Sequence, residues 1–215
     1  MDNNFSGKEQ MDKFKEELDS ILNIYVNAKL FFQDAEYLYN PDTEEEKKLA
    51  NDNFFIRRTR IAAWRSTILE LCKLFNESKN EHFNLLTFLN TFLLDYDKVD
   101  WKHNIPKDKI DSFVKKLNTH RIKSIRNNLK TLRDTGVAHT DKKNEKENEK
   151  IIVTFKELKE LLNLTEIIIQ ELKHGYLDTH VDFLMPEGEK AGGVLKMIDK
   201  YWKIRQQELD DKYGI

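Results

Sequence analysis

Breakers of regular structure are scarce in this 215-residue chain: it has three prolines and seven glycines, cysteine occurs once, and no long hydrophobic run is present. Each shortage excludes something. A lone Cys72 can form neither an intramolecular disulfide nor a cysteine metal cluster, and it reads as a small buried side chain on a helix. The most apolar stretches, residues 88–94 and 161–169, fall well under the roughly 18 residues that span a bilayer, so no membrane contact is expected. The first seven residues lack a basic start followed by an apolar run, so no secretory signal is read and a cytoplasmic protein is expected. Nor is one sign of charge in excess. Lys and Arg total 36 against 38 Asp and Glu, so any electrostatic case for a nucleic-acid partner has to be local. A Gly-rich phosphate loop, a Ser-His-Asp arrangement and a dinucleotide fingerprint are all missing, and no cofactor is expected.

What is present is helical periodicity, and the predicted fold class is all-α. Phe14, Leu18, Ile21, Tyr25, Ala28, Phe32, Ala35 and Tyr39 recur at steps of three and four up to the turn at Pro41. Thr43, with Glu46 three residues on, reads as a capping box that opens a second helix through Phe54, Ile61, Trp64, Ile68, Leu71 and Phe75. A third helix is predicted over residues 82–94 and a loop over 95–106, with Pro106 suited to the first turn of a fourth. That fourth helix carries Ile110, Phe113, Leu117, Ile125, Leu129 and Leu132, is less regular around His120, and runs to about Asp134. Residues 142–150 are too polar to pack and read as a solvated loop, and residues 151–153 as a short extended piece. Phe155, Leu158, Leu162, Thr165, Ile169 and Leu172 mark a fifth helix that Gly175 is expected to end. Residues 186–193 read as a linker, and 194–209 as a last helix carrying Leu195, Ile198 and Trp202. The expected organisation is a bundle over residues 1–175 with residues 176–215 as a linker and C-terminal helical extension of the same domain.

One segment breaks the even spread of charge. Between Ser112 and Leu132 there is no acidic residue, while Lys115, Lys116, Arg121, Lys123, Arg126 and Lys130 all fall there and Arg133 follows. With the interleaved Asn118, Thr119, His120, Asn127 and Asn128, this is the footprint of a phosphate-backbone site and points to RNA as partner. The alternative is a solvated helix face whose cations pair with acids of a neighbouring helix. After the stripe, Arg133 and His139 stand six apart, which on an unbroken helix leaves them about 120° from each other. Gly136 between them can break or bend the helix and turn both toward one cleft. There a histidine can move protons and a guanidinium can stabilise a phosphate without a metal. The alternative is a helix end, with Arg133 paired to Asp134 or Asp141 and His139 as a polar cap.

Elsewhere no metal site is expected, because His82, His103 and His120 show no ligand spacing. His174 and His180 lie near Asp178 and Asp182 and could in principle hold a cation, but a surface turn is the expected account. Trp64 is assigned to the core, and Trp202 is read as covering a partner.

The order Arg133-Asp134, four residues, then His139, with Ala138 before the histidine and Asp141 two after it, resembles the HEPN superfamily. Together with RIAAWRSTILELCKLF at residues 60–75, RDTGVAHTD is similar to the AbiU-type branch of abortive-infection proteins, over residues 14–172. The resemblance implies a four- to five-helix bundle with an added C-terminal helix. It also implies a homodimer in which two motifs face each other as a composite ribonuclease site. Arg133 would stabilise the phosphate, His139 would act as general acid and base, and Asp134 would orient one of them. The ends expected are a 2′,3′-cyclic phosphate and a 5′-hydroxyl. Many such proteins are toxins or antiviral effectors, often held in check by an antitoxin-like partner. In one branch a tyrosine two residues beyond the histidine is modified by that partner, and Asp141 stands there in this chain. Other HEPN proteins are non-catalytic modules for nucleotide binding or assembly, and RNA binding without cleavage is a third possibility.

Overall fold

In the computed structural model, residues 7–75, 83–137, 153–182 and 191–214 are described, with side chains from residue 11 and, in the second stretch, up to residue 135. Among these residues the regular structure is helical throughout. In chain order it comprises α1 (Gly7–Tyr39), α2 (Glu44–Asp52), α3 (Phe54–Phe75), α4 (Leu85–Leu94), a 3-10 turn (Tyr96–Lys98), α5 (Lys107–Leu117), α6 (His120–Leu132), a π-helical turn (Arg133–Val137), α7 (Phe155–Leu177) and α8 (Ala191–Tyr213). The predicted all-α class holds. None of these helices is long and apolar enough to cross a membrane.

Several predicted boundaries move, each for a local reason. The second predicted helix is two, because Asn53 leaves helical geometry (φ −81°, ψ 115°) and its Oδ1 accepts from the backbone N–H groups of Phe55 and Ile56. An Asn in that position caps a new helix more effectively than it continues an old one. The fourth is likewise split at Asn118 and Thr119, whose side chains donate to the carbonyls of Val114 and Lys116 and compete with the helical ladder. Gly175 does not end a helix at all. It lies inside α7, which continues to Leu177 and stops at Asp178, a left-handed residue with φ 53°. The segment 142–150, Ile151, Ile152 and His82 lie outside the described residues.

The chain divides into two compact units. One comprises residues 1–29 and 67–182, the other 30–66 and 183–215. In the first, the α1 stripe Phe14, Leu18, Ile21, Tyr25 is buried as predicted, together with Leu71 and Leu74 of α3, Leu85 and Leu89 of α4, Ile110 and Leu117 of α5, Leu129 of α6 and Leu158 to Leu172 positions of α7. An aromatic group forms around Phe92, whose ring meets Phe14 at 5.0 Å, Trp101 at 5.4 Å and Tyr176 at 6.2 Å, edge to face in each case. Polar bonds tie α1 to α7 beside this core. The Tyr25 hydroxyl and the Lys29 ammonium donate to the Glu166 carboxylate, Lys173 pairs with Asp19, and the Tyr176 hydroxyl donates to the Met11 carbonyl.

In the second unit Leu38, Ala50, Ile56 and Leu195 form a small core flanked by Tyr37, Leu49 and Ala191. Asp34 accepts from the Ala191 N–H at the start of α8, and a Cβ at Gly192 would stand 2.8 Å from the Tyr37 ring, so a side chain there would push the helix away. Three predicted core positions are corrected here. Leu38, not Tyr39, completes the α1 stripe, and Phe54 and Ile61 of α3 are exposed while Ile56 and Ala63 are buried. The largest side chains dominate the apparent periodicity, whereas the packed face uses smaller ones. Trp64 is half-buried and meets Tyr39 edge to face, and Trp202 is exposed.

Candidate nucleic-acid interface

The basic segment is carried by α5, α6 and the π-helical turn, and the structure sorts its cations into three kinds. Lys115 forms an i,i+4 pair with Asp111 at 2.6 Å, which holds its ammonium above the ordinary lysine range. Arg121 reaches Glu160 of α7 through Nε at 2.8 Å and Nη2 at 2.6 Å, and this hydrogen-bonded pairing holds the Glu160 carboxyl below its usual range. Lys116 lies over the Phe113 ring at 5.8 Å. To this extent the face behaves as one whose charges are met within the protein.

Arg126 is the second kind. It is only 7% exposed, and its Nη1 donates to the Leu117 carbonyl at 3.2 Å, so the guanidinium satisfies the last turn of α5 across the break at Asn118. Its first role is architectural.

Lys123 and Lys130 are the third kind: both are exposed, and neither meets a carboxylate among the described residues. Lys123, Arg126, Asn127 and Lys130 follow the i, i+3, i+4, i+7 rule and so lie in one row on α6. They line one side of a cavity of about 320 Å³, with Cys72, Phe75 and Leu129 on the other walls. Cys72 is buried as predicted, and its thiol donates to the Leu129 carbonyl at 3.6 Å. Asn127 is one of the hydrogen-bonding groups that the sequence interleaves with the cations. The same i, i+3, i+4, i+7 arithmetic separates it, with Lys123 and Lys130, from Arg121, whereas Lys115 and Lys116 are set apart by the break at Asn118 and Thr119.

Three residues beyond Lys130, Arg133 continues this row as the backbone passes from α-helical to π-helical winding over Arg133–Val137. Such single wide turns are uncommon and recur at functional sites. Gly136, where the sequence predicts a break or bend, lies within this turn. Arg133 is three-quarters buried at its side chain and bonds the adjacent Asp134 through Nε and Nη2, each at 2.8 Å. His139, the predicted acid and base, and Asp141 lie outside the described residues.

Two predicted surface elements also meet in the first unit. His103, in the loop before α5, and His174 of α7 stack at 4.6 Å, and His103 Nε2 lies 2.6 Å from the Asp178 carboxylate. His180 takes no part in this group.

A helical chain in which the basic helix α6 leads into an Arg-Asp pair is consistent with an all-α HEPN-like bundle. The AbiU2 family profile matches residues 11–197, and the chain belongs to that abortive-infection-related HEPN family. The match reaches past residue 172, where the resemblance read from the motifs stopped, and takes in the first turns of α8. No curated protein and no solved structure matches the chain.

Proposed function

We propose that this AbiU2 protein is a metal-independent endoribonuclease of abortive infection, acting in the cytoplasm as a homodimer with a composite site. The carrying observation is the single row on α6 in which Lys123, Arg126, Asn127 and Lys130 line a cavity and lead to Arg133 at the change of winding. A row of that composition suits an RNA backbone, with the lysines set for phosphates and the amide for a sugar hydroxyl.

RNA carries its own nucleophile. The 2′-oxygen attacks the adjacent phosphorus as His139 takes its proton, the bond from phosphorus to the 5′-oxygen breaks, and a protonated histidine, from the same or the second copy, returns a proton to the leaving oxygen. Arg133 stabilises the charge that builds on the phosphoryl oxygens, and Asp134, bonded to its guanidinium in the resting chain, orients it. The ends are a 2′,3′-cyclic phosphate and a 5′-hydroxyl. An inhibitory, antitoxin-like protein fits a chain whose activity would harm its host.

A second reading, a non-catalytic module that binds a nucleotide or a protein, is favoured by the Arg133–Asp134 pair, since a guanidinium already engaged by a carboxylate has to exchange partners before it can hold a phosphate. RNA cleavage by the purified chain in EDTA, compared with His139→Ala and read at the product ends, separates the two. Cleavage that survives chelation, leaves cyclic phosphates and is lost in the variant supports the nuclease. Equal inertness of both proteins across varied RNAs supports the module.

A further inference from the structure

We infer that His103, His174 and Asp178 form a binding site for a divalent transition cation of the zinc class at the C-terminal end of α7. One potential ligand atom from each lies within 4.8 Å of the others. Two imidazoles and a carboxylate are a donor set suited to zinc, cobalt or nickel and poorly suited to calcium or magnesium, which take oxygen.

The backbone holds these three residues together independently of any ion. The Gly175 carbonyl accepts from the N–H groups of both Lys102 and His103, at 3.1 and 2.9 Å, which latches the loop onto the last turns of α7. The absence of a side chain at Gly175 permits that approach, because a Cβ there would overlap Ile105 and stand 3.0 Å from the His103 carbonyl oxygen. His174 and Asp178 are four apart, and the left-handed Asp178 is held by its own N–H to the His174 and Lys173 carbonyls. Asp tolerates that backbone better than most residues, and here the same turn sets its carboxylate against His103 Nε2 at 2.6 Å. The three side chains are exposed, so ordinary rotations bring their donors to the separations of about 3.3 Å that ligands keep around a tetrahedral zinc, with water in the remaining position.

Bound there, the cation staples the loop before α5 to α7. No residue of the α6 row belongs to the site, so the inference does not rest on the nuclease reading and is compatible with cleavage in EDTA.

The test is titration of the purified, tag-free chain with cobalt(II), followed by zinc(II), read by the cobalt ligand-field absorption and by thermal melting. One equivalent of cobalt should give tetrahedral or five-coordinate bands that zinc abolishes, and zinc should raise the melting temperature. His103→Ala and His174→Ala should each weaken binding roughly tenfold or more, and His180→Ala should leave it unchanged. Asp178→Asn, which keeps the size of the side chain and tolerates the left-handed backbone, guards against misfolding: its metal-free melting should match the wild type while its affinity falls. Absence of one-equivalent binding, or binding that persists undiminished in both histidine variants, overturns the inference. Equal loss in His180→Ala overturns it as well.

Discussion

Gly175→Ala is the most discriminating structural perturbation, because local propensity and tertiary packing predict opposite signs. Gly175 lies inside α7, two residues before its end. Considered as a helix position alone, it should gain up to about 1 kcal/mol on becoming alanine. The added methyl, however, would overlap Cγ1 and Cδ1 of Ile105, a residue only 5% exposed, and would press on the His103 carbonyl at 3.0 Å. Forcing a methyl into a packed site costs about 1–3 kcal/mol, and here the relief available is small, because the loop is fastened by two hydrogen bonds to the Gly175 carbonyl itself. The net expectation is a loss of about 1–2 kcal/mol, or about 2–8 °C in melting temperature for a chain of this size. Thermal melting followed by circular dichroism measures it. The Ile105→Ala background supplies the internal control: with the offending atoms removed, the same Gly175→Ala change should lose most of its cost, a coupling of about 1 kcal/mol or more in a double-mutant cycle. A Gly175→Ala protein as stable as the wild type, or one equally destabilised with and without Ile105, would refute the packing argument.

Other outcomes follow from the site and the core. Lys123→Ala and Lys130→Ala should each weaken RNA binding and reduce the log–log salt slope by about 1 without moving the melting temperature. Arg126→Ala should instead cost about 1.5–3 kcal/mol of stability, since it leaves the Leu117 carbonyl without this charged donor; anisotropy with a labelled RNA and a thermal melt of each variant distinguish the roles, and a fully stable Arg126→Ala protein would contradict this one. At high pH, burial, and for Tyr25 also its hydrogen bond to Glu166, hold the hydroxyls of Tyr25 and Tyr176 above their ordinary range. A raised folded-state value means stability that is whole below the unfolded tyrosine value, about 10, and is lost as pH rises above it. Urea denaturation across that range should show the decline, and Tyr25→Phe should flatten it; an unchanged slope in the variant would remove Tyr25 as its source.

Much of this protein could be read in its sequence. The all-α class follows from three-and-four periodicity with few breakers, and the α1 stripe from Phe14 to Ala35 was legible because one amphipathic face of the helix is buried along its length. The capping box at Thr43 and Glu46 is local chemistry and stands as read. The basic segment and the Arg133-Asp134 motif, with the family they indicate, were legible because they are contiguous.

Tertiary structure decided what depends on partners distant in the chain. Which cations are engaged was settled by Glu160, 39 residues from Arg121, and by the Leu117 carbonyl beneath Arg126. Gly175 looked like a helix stop, since propensity disfavours glycine inside a helix, but contact with the loop at His103 and Ile105 outweighs that preference. His103, 71 positions from His174, has no sequence spacing that could announce their stacking. A sequence fixes periodicity, caps and local charge because these act within a turn or two of the helix. The pairing of a cation, the fit of a missing methyl and the meeting of two imidazoles are decided by the fold, because each depends on where the backbone brings a distant residue.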